Sequence, residues 1–349
     1  MADQPRTTAP PSPGTAPAPR HHHLTVNGLR QHVVTCGTGP AVVFCHGFPD
    51  MGRVWRHQVS AVARAGYTAI VPDLRGFGET EAPADASRST ALDVVGDLVV
   101  MLDHFGVEKA VIIGHDWGAN VSWAAPVLRP DRFTAVASLA VPFAPRPPAS
   151  LPDLFRQQGL SDLYMVYFSE PGPADAELDA APETFLRRFY YTLSGELPAS
   201  LTPNLRVGPT GLLVDSLHEP GRPLSWFDDE EISVYAAVYR KRGFTSALDS
   251  YRGLRRGWEL MAPWADRVPE VPALYIYGER EIVLTFPGRA DLVSRMTSML
   301  PAARSPVMLP GVGHWPQLEA PEAVNRVLLE FLGSLDLGAA EPGSGGASR

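Results

Sequence analysis

Cysteine is nearly absent: the 349 residues contain two, Cys36 and Cys45. Two thiols cannot staple a small scaffold, so a disulfide-dense secreted fold is excluded and a hydrophobic core has to hold the chain together. Long hydrophobic runs are missing too. No apolar stretch reaches bilayer-spanning length, and the N-terminus lacks the basic start and apolar segment of a signal peptide, so the reading is a soluble protein with no membrane span and the cytoplasm as default compartment. Positive charge is not in excess. A formal net charge of -8 is the wrong sign for a face that neutralises phosphates, which argues against a nucleic-acid partner. Apolar residues, by contrast, are present in ordinary measure: 45% hydrophobic against 19% charged suits a globular protein with a sizeable core. Oligomeric state is not legible from one chain.

The ends and the middle differ in composition. Residues 1 to about 22 are rich in Pro, Ala, Thr and Ser, and those from about 337 to 349 in Gly, Ser and Ala; both read as disordered tails. His21, His22 and His23 could hold a metal, but beside such a tail the run reads as accidental, and neither metal nor cofactor is expected. Between the tails, short β-branched runs alternate with helical patterns, the signature of an α/β fold with a mostly parallel sheet. Thr25-Val26 and Gln31 to Thr35 form a hairpin turned by Asn27-Gly28. Buried strands are predicted at Ala41 to Cys45, Ala69 to Val71, Ala110 to Ile113, Ala135 to Leu139, Ala273 to Tyr277 and Val307 to Leu309, with helices including Leu92 to Phe105 and Ala323 to Leu332. From 143 to 263 the rhythm stops, and aromatics, prolines and amphipathic stretches take over. This predicts a helical cap inserted into a core made of 23–142 and 264–336.

Chemistry concentrates at three junctions. Ala110 to Ile113 runs into Gly114-His115-Asp116-Trp117-Gly118 and then a helical pattern, a small-x-nucleophile-x-small elbow of the kind found in the α/β-hydrolase fold. The turn strains its central residue, so small residues must flank it at both second neighbours. That central residue is Asp116, where an esterase would have Ser. An ionised carboxylate is already a nucleophile at neutral pH and suits displacement at saturated carbon, giving an alkyl ester on the enzyme. A helix N-cap is the simpler reading of a lone Asp here, but the register of both glycines and the two further motifs outweigh it. After the strand Ala41 to Cys45, His46-Gly47-Phe48-Pro49-Asp50 places the Phe48 N–H as one oxyanion donor, with the Trp117 N–H as the other. Gly311-Val312-Gly313-His314-Trp315, late in the chain, supplies His314 as general base. The orienting acid follows the strand Ala273 to Tyr277, where Glu281 is preferred and Glu279 is the fallback. His46 and His115 read as structural.

These motifs resemble the soluble epoxide hydrolases of the α/β-hydrolase fold from about His23 to Leu335. The cap adds Tyr164 to Gly172 with its core Tyr167-Phe168-Ser169-Glu170-Pro171-Gly172, where the resemblance assigns Tyr167, and Tyr239-Arg240-Lys241-Arg242-Gly243-Phe244 followed by Leu248-Asp249-Ser250-Tyr251-Arg252, where it assigns Tyr251 as the second tyrosine. An epoxide oxygen leaves poorly unless an acid donates to it, and two phenols would serve. Tyr164, Tyr190, Tyr191, Tyr235 and Tyr239 read as packing residues, with Tyr239 in reserve. The departure from the family is Glu281, where most members carry Asp.

The resemblance implies a small-molecule epoxide as substrate and a vicinal diol as product. A hydrolytic dehalogenase would use the same aspartate ester, but haloalkane dehalogenases usually present Asn or a second Trp to the halide, and fluoroacetate dehalogenases usually have Arg where Trp117 stands. A ligand sensor without turnover is the alternative from another class, and the intact Asp, His and acid set argues against it.

Overall fold

Each predicted β-branched run becomes one strand of a single sheet, because a run apolar on both faces is stable only between neighbouring strands and under covering helices. The computed structural model describes residues 17–337. Its strands are β1 (Arg20–Val26), β2 (Leu29–Gly37), β3 (Ala41–Cys45), β4 (Thr68–Pro72), β5 (Ala110–His115), β6 (Phe133–Leu139), β7 (Ala273–Gly278) and β8 (Val307–Leu309). They lie in the order β1-β2-β4-β3-β5-β6-β7-β8. The β1–β2 and β2–β4 pairings are antiparallel, and every pairing from β4 to β8 is parallel. Strand β5 is buried along its whole length between β3 and β6. Each Val or Ile enclosed there contributes about 1.5–3 kcal/mol relative to exposure.

Helices α1 (Arg56–Arg64), α2 (Ala91–His104) and α3 (Trp117–Leu128) follow the early strands. Between β6 and β7 the chain leaves the sheet for α4 (Leu151–Gln157), α5 (Tyr164–Ser169), α6 (Pro173–Ala180), α7 (Pro182–Thr192), α8 (Asp229–Arg242), α9 (Thr245–Arg252) and α10 (Leu254–Leu260). It returns with α11 (Arg289–Met299), α12 (Pro316–Glu319) and α13 (Pro321–Gly333). The insertion contains no sheet strand, only an isolated bridge between Leu163 and Arg206. No described helix is long and apolar enough to cross a membrane.

Two expectations need correction. Strand β1 begins at Arg20, inside the segment read as a tail, because His21 and His22 pair with Val34 and Val33 of β2. Backbone pairing outweighs the local composition. The histidines take alternate faces: His21 lies 2.9 Å from His32, His22 2.8 Å from Thr35, and His23 3.2 Å from Glu79. His21 and His23 flank His32 while His22 turns to the other face, and no group of three or more potential metal ligands forms among the described residues. Second, β8 is an edge strand with Met308 exposed, not a buried one. The tail segments 1–16 and 338–349 lie outside the described residues.

Candidate active site

In an open parallel sheet the loops at the carboxyl ends of the strands face one crevice. Four such loops converge here, after β3, β5, β7 and β8. Asp116 sits between β5 and α3 with φ 53° and ψ -118°, a left-handed backbone that costs a non-glycine residue about 1–3 kcal/mol. The flanking glycines allow the turn to close. A Cβ on Gly114 would lie 2.0 Å from the Gly118 carbonyl oxygen, and one on Gly118 would lie 2.1 Å from that of Cys45. The strand and helix therefore pack too closely for any side chain at either place.

Around the Asp116 carboxylate the contacts divide by oxygen. Oδ1 accepts the Phe48 N–H at 2.9 Å, and Oδ2 lies 3.4 Å from His314 Nε2. On the other side of the ring, His314 Nδ1 donates to Glu281 Oε1 at 2.8 Å, and the same oxygen accepts the Val283 N–H. Glu281 is buried, whereas Glu279 bonds the Gly311 N–H at the surface, so the imidazole chooses Glu281. The extra methylene of Glu relative to Asp is accommodated by the short turn Ile282–Thr285, which Glu281 caps. Trp117 provides the first N–H of α3, a donor with no intrahelical partner, and it makes no hydrogen bond among the described residues.

Burial on its own would raise the Asp116 pKa and lower that of His314. The hydrogen bond and charge that each offers the other, with Glu281 behind the ring, reverse both effects: Asp116 falls below its ordinary value and His314 rises well above its own. Both shifts favour the charged form of each group. His314 is also held by its backbone, its N–H donating to Leu193 O at 2.9 Å and its carbonyl accepting from His115 Nε2 at 2.7 Å. His46, likewise structural, bonds Leu74 N and Gly47 O.

The insertion brings Tyr251 to this crevice, its ring 5.0 Å from Trp117 and 5.4 Å from Phe48. Tyr167 does not arrive there. Its hydroxyl donates to Glu177 at 2.8 Å, and the charges that act on it are those of Glu177 and Asp175. Tyr164, read from sequence as packing, takes the place expected for Tyr167: it is buried with its ring 6.0 Å from Tyr251. Burial foremost, then the Asp116 charge, hold the Tyr164 hydroxyl well above its ordinary pKa. The Tyr251 hydroxyl is raised by burial, Tyr164 and Asp116 in turn. Neither hydroxyl donates to a protein acceptor by hydrogen-bond geometry among the described residues, whereas Tyr190 is taken by Asp50 and the reserve candidate Tyr239 by Pro49 O. Helical period was the missed signal. Tyr164 and Phe168 are one turn apart and both turn toward Tyr251, while Tyr167 falls on the flank that meets α6.

A second residue that the sequence reading left without a role is Asp50. It is buried below the site, accepting from Tyr190 at 2.6 Å and Trp315 Nε1 at 3.1 Å, with His115 Nδ1 3.6 Å away. It braces the two motif neighbours of the elbow and the histidine loop.

Comparison with known proteins gives consistent matches. Residues 40–168 match the model of the alpha/beta hydrolase fold. Epoxide hydrolase A of Mycobacterium tuberculosis is 40% identical over 325 residues, covering 92% of this chain and 99% of that protein. Epoxide hydrolase 1 of Siraitia grosvenorii is 36% identical over 315 residues, covering 89% and 97%. The crystal structure of Epoxide Hydrolase A from Mycobacterium thermoresistibile superposes with a TM-score of 0.84 at 39% identity, over 92% of this chain and all (100%) of that one.

Proposed function

This chain belongs to the epoxide hydrolases of the α/β-hydrolase fold, hydrolases that act on an ether bond, and we propose that its reaction runs through an alkyl ester on Asp116 with Tyr164 and Tyr251 as the acids. Asp116 Oδ2 attacks an epoxide carbon, the carbon–oxygen bond breaks, and a phenol of the tyrosine pair gives its proton to the departing oxygen. The high pKa of both phenols keeps that proton in place until the alkoxide forms. His314, oriented by Glu281, then takes a proton from water, and the resulting hydroxide adds to the Asp116 carboxyl carbon. Negative charge develops on Oδ1 under the N–H groups of Phe48 and Trp117. The intermediate collapses by releasing the diol oxygen, which takes its proton back from His314, and the proton left on the Asp116 carboxyl passes through solvent to the tyrosinate, restoring both groups.

The observation that carries this reading is the division of the Asp116 carboxylate, one oxygen under a backbone donor and the other facing the imidazole. The 143–263 insertion acts as a cap that carries the acids and closes the crevice. Diol formation from styrene oxide, run beside halide release from haloalkanes and fluoroacetate, tests the assignment. Diol without halide, lost in Asp116→Asn, is expected. Halide without diol would move the activity to dehalogenation, and diol formation at an undiminished rate in Asp116→Ala would sink the ester mechanism. A single turnover in heavy-oxygen water should place the label in Asp116 and leave the first diol unlabelled, since that diol takes its new oxygen from the carboxylate.

A further inference from the structure

Two cavities adjoin Asn120, the residue one helical turn beyond Asp116, whose side-chain amide donates to the Asp116 carbonyl. One, of about 280 Å³, is walled by aromatic residues that include Phe77, Trp117, Trp123, Phe143 and Trp258. The other, of about 300 Å³, lies between α4 and the start of α11 and is lined by Leu151, Phe155, Phe286, Arg289 and Leu292 besides Asn120. Ala144, Pro145, Pro147 and Leu151 border both, so the cavities abut above the first turns of α3.

Arg289 makes the second cavity unlike the first. It opens α11 and is half-buried, yet its guanidinium has no carboxylate within 4.0 Å and makes no side-chain hydrogen bond among the described residues. Other sunken arginines are paired: Arg75 with Asp97, Arg252 with Asp175 and Asp249, and Arg242 with the carbonyls of Gly78 and Thr80. A guanidinium does not shed its proton in a protein, so a partly desolvated one calls for an anion from elsewhere. Its charge acts on the Tyr164 hydroxyl, the proposed acid. The first turn of α11, with Gly288 at the N-cap supplying no side-chain acceptor, adds positive partial charge at the same spot.

We propose that Arg289 is a specificity-determining residue that receives a carboxylate on one arm of the epoxide substrate, the other arm lodging in the aromatic cavity beyond Asn120. This rests on the epoxide reading above and deepens it. A planar carboxylate matches the fork of the guanidinium bidentately, and a second negative charge next to Asp116 would be rejected without that cation.

The test compares terminal epoxides bearing a carboxylate on saturated chains of graded length with their own methyl esters, which share the skeleton and lack the charge. At the best length the wild-type protein should favour the acid in kcat/KM by about tenfold or more, the scale of a charged hydrogen bond. Arg289→Gln should remove that preference through KM, and Arg289→Lys should keep part of it. Raising the salt concentration on the wild-type protein should narrow the ratio without any variant. Equal turnover of acid and ester at every length overturns the inference, as does an equal loss on both in Arg289→Gln, which would assign Arg289 to support of Tyr164. Diol from the esters alone defeats only this inference, whereas no diol from acids, esters or styrene oxide defeats the epoxide reading and this one with it.

Discussion

Charge moves between Asp116 and His314 during the proposed cycle, and the two pKa shifts fix how each step responds to pH. Asp116, held below its ordinary value, should keep forming the ester until the pH falls below about 4. Ester hydrolysis needs neutral His314. Alkylation removes the Asp116 charge, one of the two carboxylates that raise the imidazole, so the hydrolytic step should climb with pH through a value lower than that of the resting protein. Single-turnover tryptophan fluorescence separates the two rates, and a hydrolytic rate that grew as pH fell would contradict the assignment. The same groups link stability to pH. The folded pKa of Asp116 lies below its unfolded one, so its contribution is present above about pH 4 and lost as pH falls through the folded value; the folded pKa of His314 lies above, so its contribution is full below about pH 6.5 and lost as pH rises through the folded value. Urea titrations should show the advantage of the wild-type protein over His314→Gln narrowing on the alkaline side. Among the tyrosines, Tyr164→Phe or Tyr251→Phe should slow ester formation about a hundredfold, the usual scale for a positioned acid, while Tyr167→Phe stays within about threefold. The reverse ranking would return the role to Tyr167.

At the scale of elements, the loop that presents His314 is stapled rather than free. Glu319 of α12 accepts the N–H groups of Gly195 at 2.7 Å, Gly313 at 2.9 Å and Trp315 at 3.1 Å, joining the histidine loop to the end of the insertion's α7 arm. Arg280 grips the Gly195 carbonyl from the loop that carries Glu281. One carboxylate thus satisfies three backbone donors that would otherwise be stranded. Glu319→Ala should cost about 2 kcal/mol or more in urea unfolding, and should slow ester hydrolysis more than ester formation because only the first depends on the placement of His314. Equal slowing of both steps would mark Glu319 as a general brace.

On the scale of the molecule, sheet and insertion share one apolar core. Phe48 of the loop after β3 packs against Phe168, Phe185, Phe189, Phe244 and Tyr251 of the insertion, with centroids 5.4–6.3 Å apart. Polar clasps reinforce the join, among them Arg53 to Glu231 and Tyr239 to Pro49 O. With no separate core to retain, the insertion should not melt first. Far-UV circular dichroism and tryptophan fluorescence should report coincident unfolding, and an early fluorescence transition would show that the two parts come apart.

Local rules were enough for the sheet and the elbow. A β-branched run, a turn dipeptide or a glycine two residues from a strained aspartate acts through neighbours in the chain, so strands β3 to β7, the helical character of 143–263 and the strained turn at Asp116 were legible, as was the family. Sequence order likewise pointed to His314, and the bond between its ring and Glu281 is one that only the fold could make over Glu279. Where the partner lies far along the chain, the string of residues is silent or misleads. Tyr164 and Tyr167 share one short helix, and which phenol faces Asp116 depends on how α5 rolls against α9 and α6. The tail-like histidines became a strand because β2 lay beside them. Tertiary packing also decided that Asp50, Glu319 and Arg289 are buried or half-buried charges, since desolvation is a property of surroundings assembled from distant segments and no single stretch of sequence carries it.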